Sequence, residues 1–304
     1  MKLAPVILFA YNRPNHIKRT IESLLKNKEA GESDLFVFSD APKREEDKLK
    51  VEQVREYLHA VNQFQSVTII EREFNYGLGK NIIAGVTQIV ATYGKVIALE
   101  DDLIVSPYFL EYMNEGLDLY ESDDKVISIH GYVYPVKGKL PETFFLKGAD
   151  CLGWGTWKRG WDIFEPDGNL LLKKILETHQ AHAFDYNNAY PFTQMLKDQI
   201  EGKNNSWAIR WYASAFLNDK YTLYPGKSLI HHAGGDGSGT NTGYDSQLDV
   251  TLSHKPIKLN KIDVEQNFPA YNSFVKFYKT ISRPSILYRL KRKIKTIFAL
   301  STDN

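Results

Sequence analysis

Three consecutive carboxylates, Glu100-Asp101-Asp102, directly follow the apolar run Val96-Ile97-Ala98-Leu99. Like charges a few ångströms apart repel and raise each other's pKa, so such a cluster at the end of a buried strand needs a positive group among them. A divalent cation, Mn²⁺ or Mg²⁺, removes the conflict. It takes oxygen ligands, commonly one or two carboxylates, and completes its shell with substrate phosphates. The chemistry implied is neutralisation of charge on a leaving diphosphate. A solvated acidic turn has the same composition; the buried strand before it favours the metal.

Other polar residues fall at similar places. Asp40 follows the run Leu35-Phe36-Val37-Phe38, where it suits a nucleobase or ribose hydroxyl, or forms a turn before Ala41-Pro42. Asn12 and Arg13 follow Val6-Ile7-Leu8-Phe9-Ala10 and offer donors to a base and a phosphate. Gly77 and Gly79 supply turn geometry, which leaves Asn75 and Lys80 as donors to the nucleotide or sugar. His231-His232 and Asp236 occupy a glycine-rich loop, where His232 either completes a metal shell or bonds locally. Neither the full dinucleotide-binding glycine fingerprint nor a Walker sequence is present.

The elements that must position these groups read as alternating strands and helices. Val6 to Ala10, Leu35 to Phe38, Val67 to Ile70 and Val96 to Leu99 are short apolar strands. Between them Ile17, Ile21, Leu24 and Leu25, then Val51, Val54 and Leu58, then Ile82 to Tyr93 follow helical spacing, with Asn15 a cap for the first. This predicts an α/β fold with a mixed, mainly parallel sheet flanked by helices, whose ligand crevice lies beyond the carboxyl ends of the strands. Residues 1–282 form one domain, with a nucleotide-binding half (1–115) and a second, aromatic half (116–282). There Trp161 and Trp211 read as core, whereas Trp154, Gly155 and Trp157 form a glycine-flanked stretch with rings free to meet a sugar.

The composition sets outer limits. With 304 residues, 43% hydrophobic and 25% charged, the chain has the make-up of an ordinary globular protein, and a net charge of +1 gives no general attraction to nucleic acid. The lone Cys151 permits no internal disulfide, and Met1 to Pro5 lead into a strand without a signal-peptide pattern, so a cytoplasmic location is expected.

Together, Phe9-Ala10-Tyr11-Asn12-Arg13-Pro14, the Asp40 turn, Phe74-Asn75-Tyr76-Gly77-Leu78-Gly79 and Leu99-Glu100-Asp101-Asp102-Leu103-Ile104-Val105-Ser106-Pro107 resemble inverting GT-A glycosyltransferases. The likeness is to bacterial family-2-type sugar transferases and to N-acetylglucosaminyltransferase I. It implies a UDP-sugar donor and a glycan or lipid-linked acceptor. By that resemblance Asp40 holds uridine, Asp102 binds the metal, Glu100 and Asp101 orient sugar or nucleotide, and Ala10, Tyr11, Asn12 and Arg13 line the donor site. The second half binds acceptor, with Trp154 and Trp157 stacking on sugar faces. Inversion needs a carboxylate to take the acceptor proton. Where related enzymes place an Asp or Glu before the helix at Trp207, this chain has Asn204-Asn205-Ser206, leaving Asp150 and Glu201 as substitutes. A nucleotidyltransferase is disfavoured by the missing basic glycine loop after the first strand. A catalytically silent sugar-binding protein stays open because of Asn204 to Ser206.

From Arg283 to Leu300 six basic residues and no acidic one accompany Ile286, Leu287, Leu290, Ile294, Ile297 and Phe298 at helical spacing. Residues 283–304 therefore read as a basic amphipathic helix, either docked on the domain or peripheral at an anionic membrane face.

Overall fold

The computed structural model describes residues 2–235 and 247–282. Four strands, β1 (Val6–Ala10), β2 (Asp34–Ser39), β3 (Ser66–Glu71) and β4 (Lys95–Glu100), pair in parallel in the order β3-β2-β1-β4. Helices α1 (Pro14–Leu24), α2 (Lys48–His59) and α3 (Leu78–Tyr93) connect them. The buried face of α1 carries Ile17, Ile21 and Leu24, which pack with Leu8, Val37 and Val54 in the core. Its start differs from the expected Asn15 cap. Pro14 is the first helical residue, where its missing N–H is harmless and its fixed φ suits the turn. Helix α3 begins four residues before the expected Ile82, because Gly77 at φ 71° turns the chain directly into it.

Beyond β4 come the short β5 (Leu103–Val105), α4 (Phe109–Leu119), β6 (Val126–His130), β7 (Thr143–Lys147) and β8 (Trp154–Trp157). They are followed by α5 (Lys158–Trp161), α6 (Gly168–Glu177), α7 (Ala181–Phe184), α8 (Phe192–Ile200), α9 (Ala208–Leu217), β9 (Tyr221–Pro225), β10 (Ile230–His232) and α10 (Phe268–Ser282). The sheet extends through β8, β6, β9 and β7, with β8 and β7 antiparallel to the rest. One mixed, mainly parallel sheet thus runs through both halves of the described chain.

Strand β8 sits between β4 and β6, with Trp154 opposite Ala98 on one side and His130 on the other. Here the expectation of sugar-stacking rings meets a different arrangement. Trp154 and Trp157 are 2% and 3% exposed. The Trp154 ring packs 5.6 Å from Trp207, 5.6 Å from Trp211 and 5.7 Å from Trp161, while Trp157 Nε1 donates to the Leu117 carbonyl at 3.0 Å. A Cβ at Gly155 would come 3.0 Å from Met113 Cε and 3.1 Å from the Val96 carbonyl. Trp154, Gly155 and Trp157 are therefore sheet interior, and no face of either ring is open to an acceptor. Separately, β10 pairs antiparallel with β5, setting His232 opposite Leu103 directly after the acidic triplet. Among the described residues no helix is long and apolar enough to cross a membrane.

Candidate functional site

Parallel pairing of β1 with β4 puts Phe9 opposite Glu100, so the loops after both strands converge. Arg13 leaves the first loop and forks across the second: Nη1 donates to Asp102 Oδ2 at 2.8 Å, Nε to Asp101 Oδ2 at 3.4 Å, and Nη2 to Asp101 Oδ1. Thr20 Oγ1 donates to the Asp101 carbonyl at 2.7 Å, fixing the turn against α1. The electrostatics divide the three carboxylates. Burial, reinforced by Asp102 and Asp101, pushes Glu100 up to about 8. Burial also raises Asp101 against the pull of Arg13. At Asp102 burial is outweighed by His232 and the Arg13 guanidinium, which bring it down to about 2.

His232 Nε2 stands 3.5 Å from Asp102 Oδ2, and the Ala233 N–H donates to the Asp102 carbonyl at 2.8 Å. Gly234 packs against this pair so closely that a Cβ there would lie 2.9 Å from His232 Nε2 and would overlap Asp102 Oδ2. Among the described residues no three His, Cys, Asp or Glu side chains converge as a metal cage. The two donors Asp102 and His232 fit a cation whose remaining ligands are phosphate oxygens. Asp236 and residues 283–304 lie outside the described residues.

Beside Arg13 lies a cavity of about 180 Å³, lined in part by Ala10, Tyr11, Asn12, Asp40, Asn75 and Asn205. Most of the residues expected at a nucleotide meet here, yet several are engaged with each other. Asp40 accepts from four donors: Ala41 N and Tyr76 N at Oδ1, Gly77 N and Asn75 Nδ2 at Oδ2, all within 3.2 Å. A carboxylate offers about four acceptor positions, so Asp40 is saturated by the loop it holds. Lys80 is exposed on the first turn of α3 and does not line the cavity. Asp47, not singled out in the sequence, does not line the cavity but holds two residues that do, Tyr11 and Asn12. It is 4% exposed and accepts from Tyr11 Oη at 3.0 Å, Asn12 Nδ2 at 2.8 Å and Arg44 Nε at 3.2 Å.

The two carboxylates considered for proton removal have different surroundings. Glu201 follows the end of α8 with its side chain 52% exposed and paired to Lys203. Asp150, in the connection from β7 to β8, is enclosed; Oδ2 accepts from Tyr134 Oη at 3.0 Å and Tyr224 Oη at 3.4 Å, and Oδ1 from Cys151 N at 2.8 Å. Its neighbour Cys151 is close enough to Glu100 and Asp102 for both to act with burial in raising the thiol pKa.

A parallel α/β half ending in an acidic cluster, continued by a second half whose strands extend the same sheet, is the GT-A type of glycosyltransferase architecture. The sequence profile of glycosyl transferase family 2 matches residues 6–180, more than half of the chain, and the chain belongs to that family. Solved structures similar to it include S. aureus TarS 1–349, at 15% identity over 78% of this chain and 62% of that one, with a TM-score of 0.42. TarS 1–349 in complex with UDP gives 16% identity over 76% and 60%, TM-score 0.41. The mannosyltransferase PcManGT from Pyrobaculum calidifontis, in complex with GDP-Man and Mn²⁺, gives 10% over 71% and 70%, TM-score 0.39. This chain thus spans less than two thirds of the TarS chains it matches. No curated protein sequence matches it.

Proposed function

We propose that this chain transfers a sugar from a UDP-sugar to a hydroxyl of a glycan or lipid-linked acceptor, with inversion at the anomeric carbon. The observation that carries the reading is the Arg13 fork over Asp101 and Asp102, with Arg13 and Asp101 lining the same cavity as Asn12, Asp40 and Asn75. The base and ribose enter beside Tyr11 and Asn12, and the diphosphate meets Arg13. Asp102 and His232 would hold a Mn²⁺ or Mg²⁺ ion, which when bound would supply Lewis-acid neutralisation of the leaving diphosphate. Asp150 takes the proton of the acceptor hydroxyl as its oxygen bonds to the anomeric carbon, and the bond from that carbon to the phosphate oxygen breaks to release UDP. The basic segment 283–304 favours a lipid-linked acceptor at an anionic cytoplasmic membrane surface.

Release of UDP from a panel of UDP-sugars, with and without Mn²⁺ and with GDP-mannose as a contrast, tests the reading. Absence of nucleotide release and of nucleotide binding under all conditions overturns it. A second reading, a catalytically silent sugar-nucleotide binder, is favoured by Asn205 at the cavity in a stretch without a carboxylate. Tight UDP-sugar binding without turnover would select it.

A further inference from the structure

A second cavity, of about 280 Å³, opens around Asp150, and its walls are aromatic: Tyr134, Tyr186, Tyr190, Phe192, Tyr212 and Tyr224. Its size suits one small ring rather than a whole drug-sized ligand. Lys147 also borders it, but its ammonium pairs with Asp219 and lies 4.4 Å over the Phe216 ring. Among the described residues the charged group turned to the aromatic walls is thus Asp150. Of these residues three donate to that carboxylate, Tyr134 Oη, Tyr224 Oη and Cys151 N, while His130 Nε2, 3.9 Å from Oδ1, itself accepts from Leu152 N; about one of the four acceptor positions therefore has no donor among them. Asp40, with four donors, has none.

The two cavities share a partition. Asn205 lines the one beside Arg13, and the next residue, Ser206, lines the one around Asp150. Ser206 Oγ accepts from Ile209 N at 3.2 Å, which ties this partition to the start of α9. Cys151, on the wall of the aromatic cavity, also feels the charge of Glu100 and Asp102. The cavity among the tyrosines therefore adjoins the donor side at Asn205-Ser206.

We propose that this tyrosine-walled cavity binds one pyranose ring of the acceptor, with Asp150 accepting a hydrogen bond from a ring hydroxyl. The assignment rests on the glycosyltransferase reading. A pyranose combines apolar C–H faces with hydroxyl donors, and the cavity combines aromatic faces with one open carboxylate acceptor position. Aromatic walls with a few placed polar groups are how such sites fix a small ligand.

Saturation-transfer NMR with methyl β-D-glucopyranoside, methyl β-D-galactopyranoside and methyl α-D-mannopyranoside tests it on the full chain, with UDP binding in Mn²⁺ measured on the same samples. At least one pyranoside binds the unaltered chain in the millimolar range expected of a single ring. Tyr190→Ala and Phe192→Ala, both at half-buried positions, weaken it about five- to tenfold, Tyr190→Phe retains it, and UDP affinity does not change. Binding of UDP without any pyranoside, or pyranoside binding untouched by Tyr190→Ala and Phe192→Ala, overturns the cavity assignment while the donor reading stands. Pyranoside binding that responds to these substitutions in a chain that binds no nucleotide leaves the cavity and overturns the transferase reading.

Discussion

Arg13 Nη1 and Asp102 Oδ2 are hydrogen bonded at 2.8 Å, and the same carboxylate oxygen faces His232 Nε2 at 3.5 Å. The oxygen suited to a metal is thus already flanked by a guanidinium and an imidazole. On the proposed function, a diphosphate arriving with its cation would compete for Arg13, because guanidinium groups bind phosphate and carboxylate in the same forked manner. Cation and nucleotide binding would then be coupled through this one side chain.

Arg13→Ala leaves two buried carboxylates without their shared partner. Loss of one member of a buried ion pair typically costs about 3–5 kcal/mol, and a urea titration of the cation-free chain is expected to show a loss of that order. Arg13→Lys keeps the charge but not the fork, so it recovers part of the stability and little of the UDP affinity. Equal UDP affinity in the Lys variant and the unaltered chain would remove Arg13 from the diphosphate.

Glu100 gives the cation-free chain a particular pH dependence. Its folded pKa of about 8 lies above the ordinary 4.5, so between these values the unfolded state has released a proton that the folded state keeps. Stability therefore falls as pH rises through that window, by an amount on the order of 1–4 kcal/mol. Asp102 acts oppositely: lowered from 3.8 to about 2, its contribution is present above 3.8 and disappears as pH falls towards 2. In chelator, the urea midpoint is expected to drop from pH 5 to pH 8.5, and to drop much less in Glu100→Gln. Parallel profiles for the two chains would show that Glu100 ionises freely.

Asp40 holds the loop before α3 through Asn75, Tyr76 and Gly77. Asp40→Ala strands buried donors at about 1–3 kcal/mol each, so a stability loss of about 2–4 kcal/mol is expected before any nucleotide is added. A melting curve unchanged by the substitution, together with weakened UDP binding, would instead make Asp40 a ligand contact.

The first half of the fold was legible because its strands are uninterrupted apolar runs. Val6 to Ala10 coincides with β1, and the runs at Leu35, Val67 and Val96 need only a residue at either end to become β2, β3 and β4. Strand β8 was not legible. Trp154-Gly155-Thr156-Trp157 is short and glycine-containing, and it is buried on both faces, so it lacks the alternation that marks a half-exposed strand. Asp47 was hidden by its setting in a charged stretch; its role depends on Tyr11 and Asn12, 36 and 35 residues away. The aromatic cavity is assembled from residues as distant as Tyr134 and Tyr278, which no local spacing connects.

Gly234 tests the metal assignment without removing a ligand. A Cβ there would press on Asp102 Oδ2 and His232 Nε2 together. Gly234→Ala is expected to lower Mn²⁺-dependent UDP affinity about tenfold, the equivalent of about 1.4 kcal/mol, with nearly unchanged cation-independent binding. An equal loss with and without Mn²⁺ would mean that the substitution disturbs the loop rather than the cation.

The choice between Asp150 and Glu201 rests on enclosure. A proton acceptor for an attacking hydroxyl must lie within hydrogen-bond reach of it in a site that excludes water. Glu201 has an exposed side chain paired with Lys203, whereas Asp150 is 14% exposed and, among the described residues, retains an open acceptor position beside the partition at Ser206. With its oxygen in the place of Oδ2, Asp150→Asn keeps the hydrogen bonds from Tyr134 and Tyr224, loses the one from Cys151 N, and removes the basic site. Transfer is therefore expected to fall by roughly 10² to 10⁴-fold with UDP binding retained, while Glu201→Gln transfers at the unaltered rate. Steady-state transfer measured beside UDP affinity separates the outcomes. Full turnover in Asp150→Asn would place the proton acceptor elsewhere, and a large loss in Glu201→Gln would require the end of α8 to close over the acceptor during catalysis.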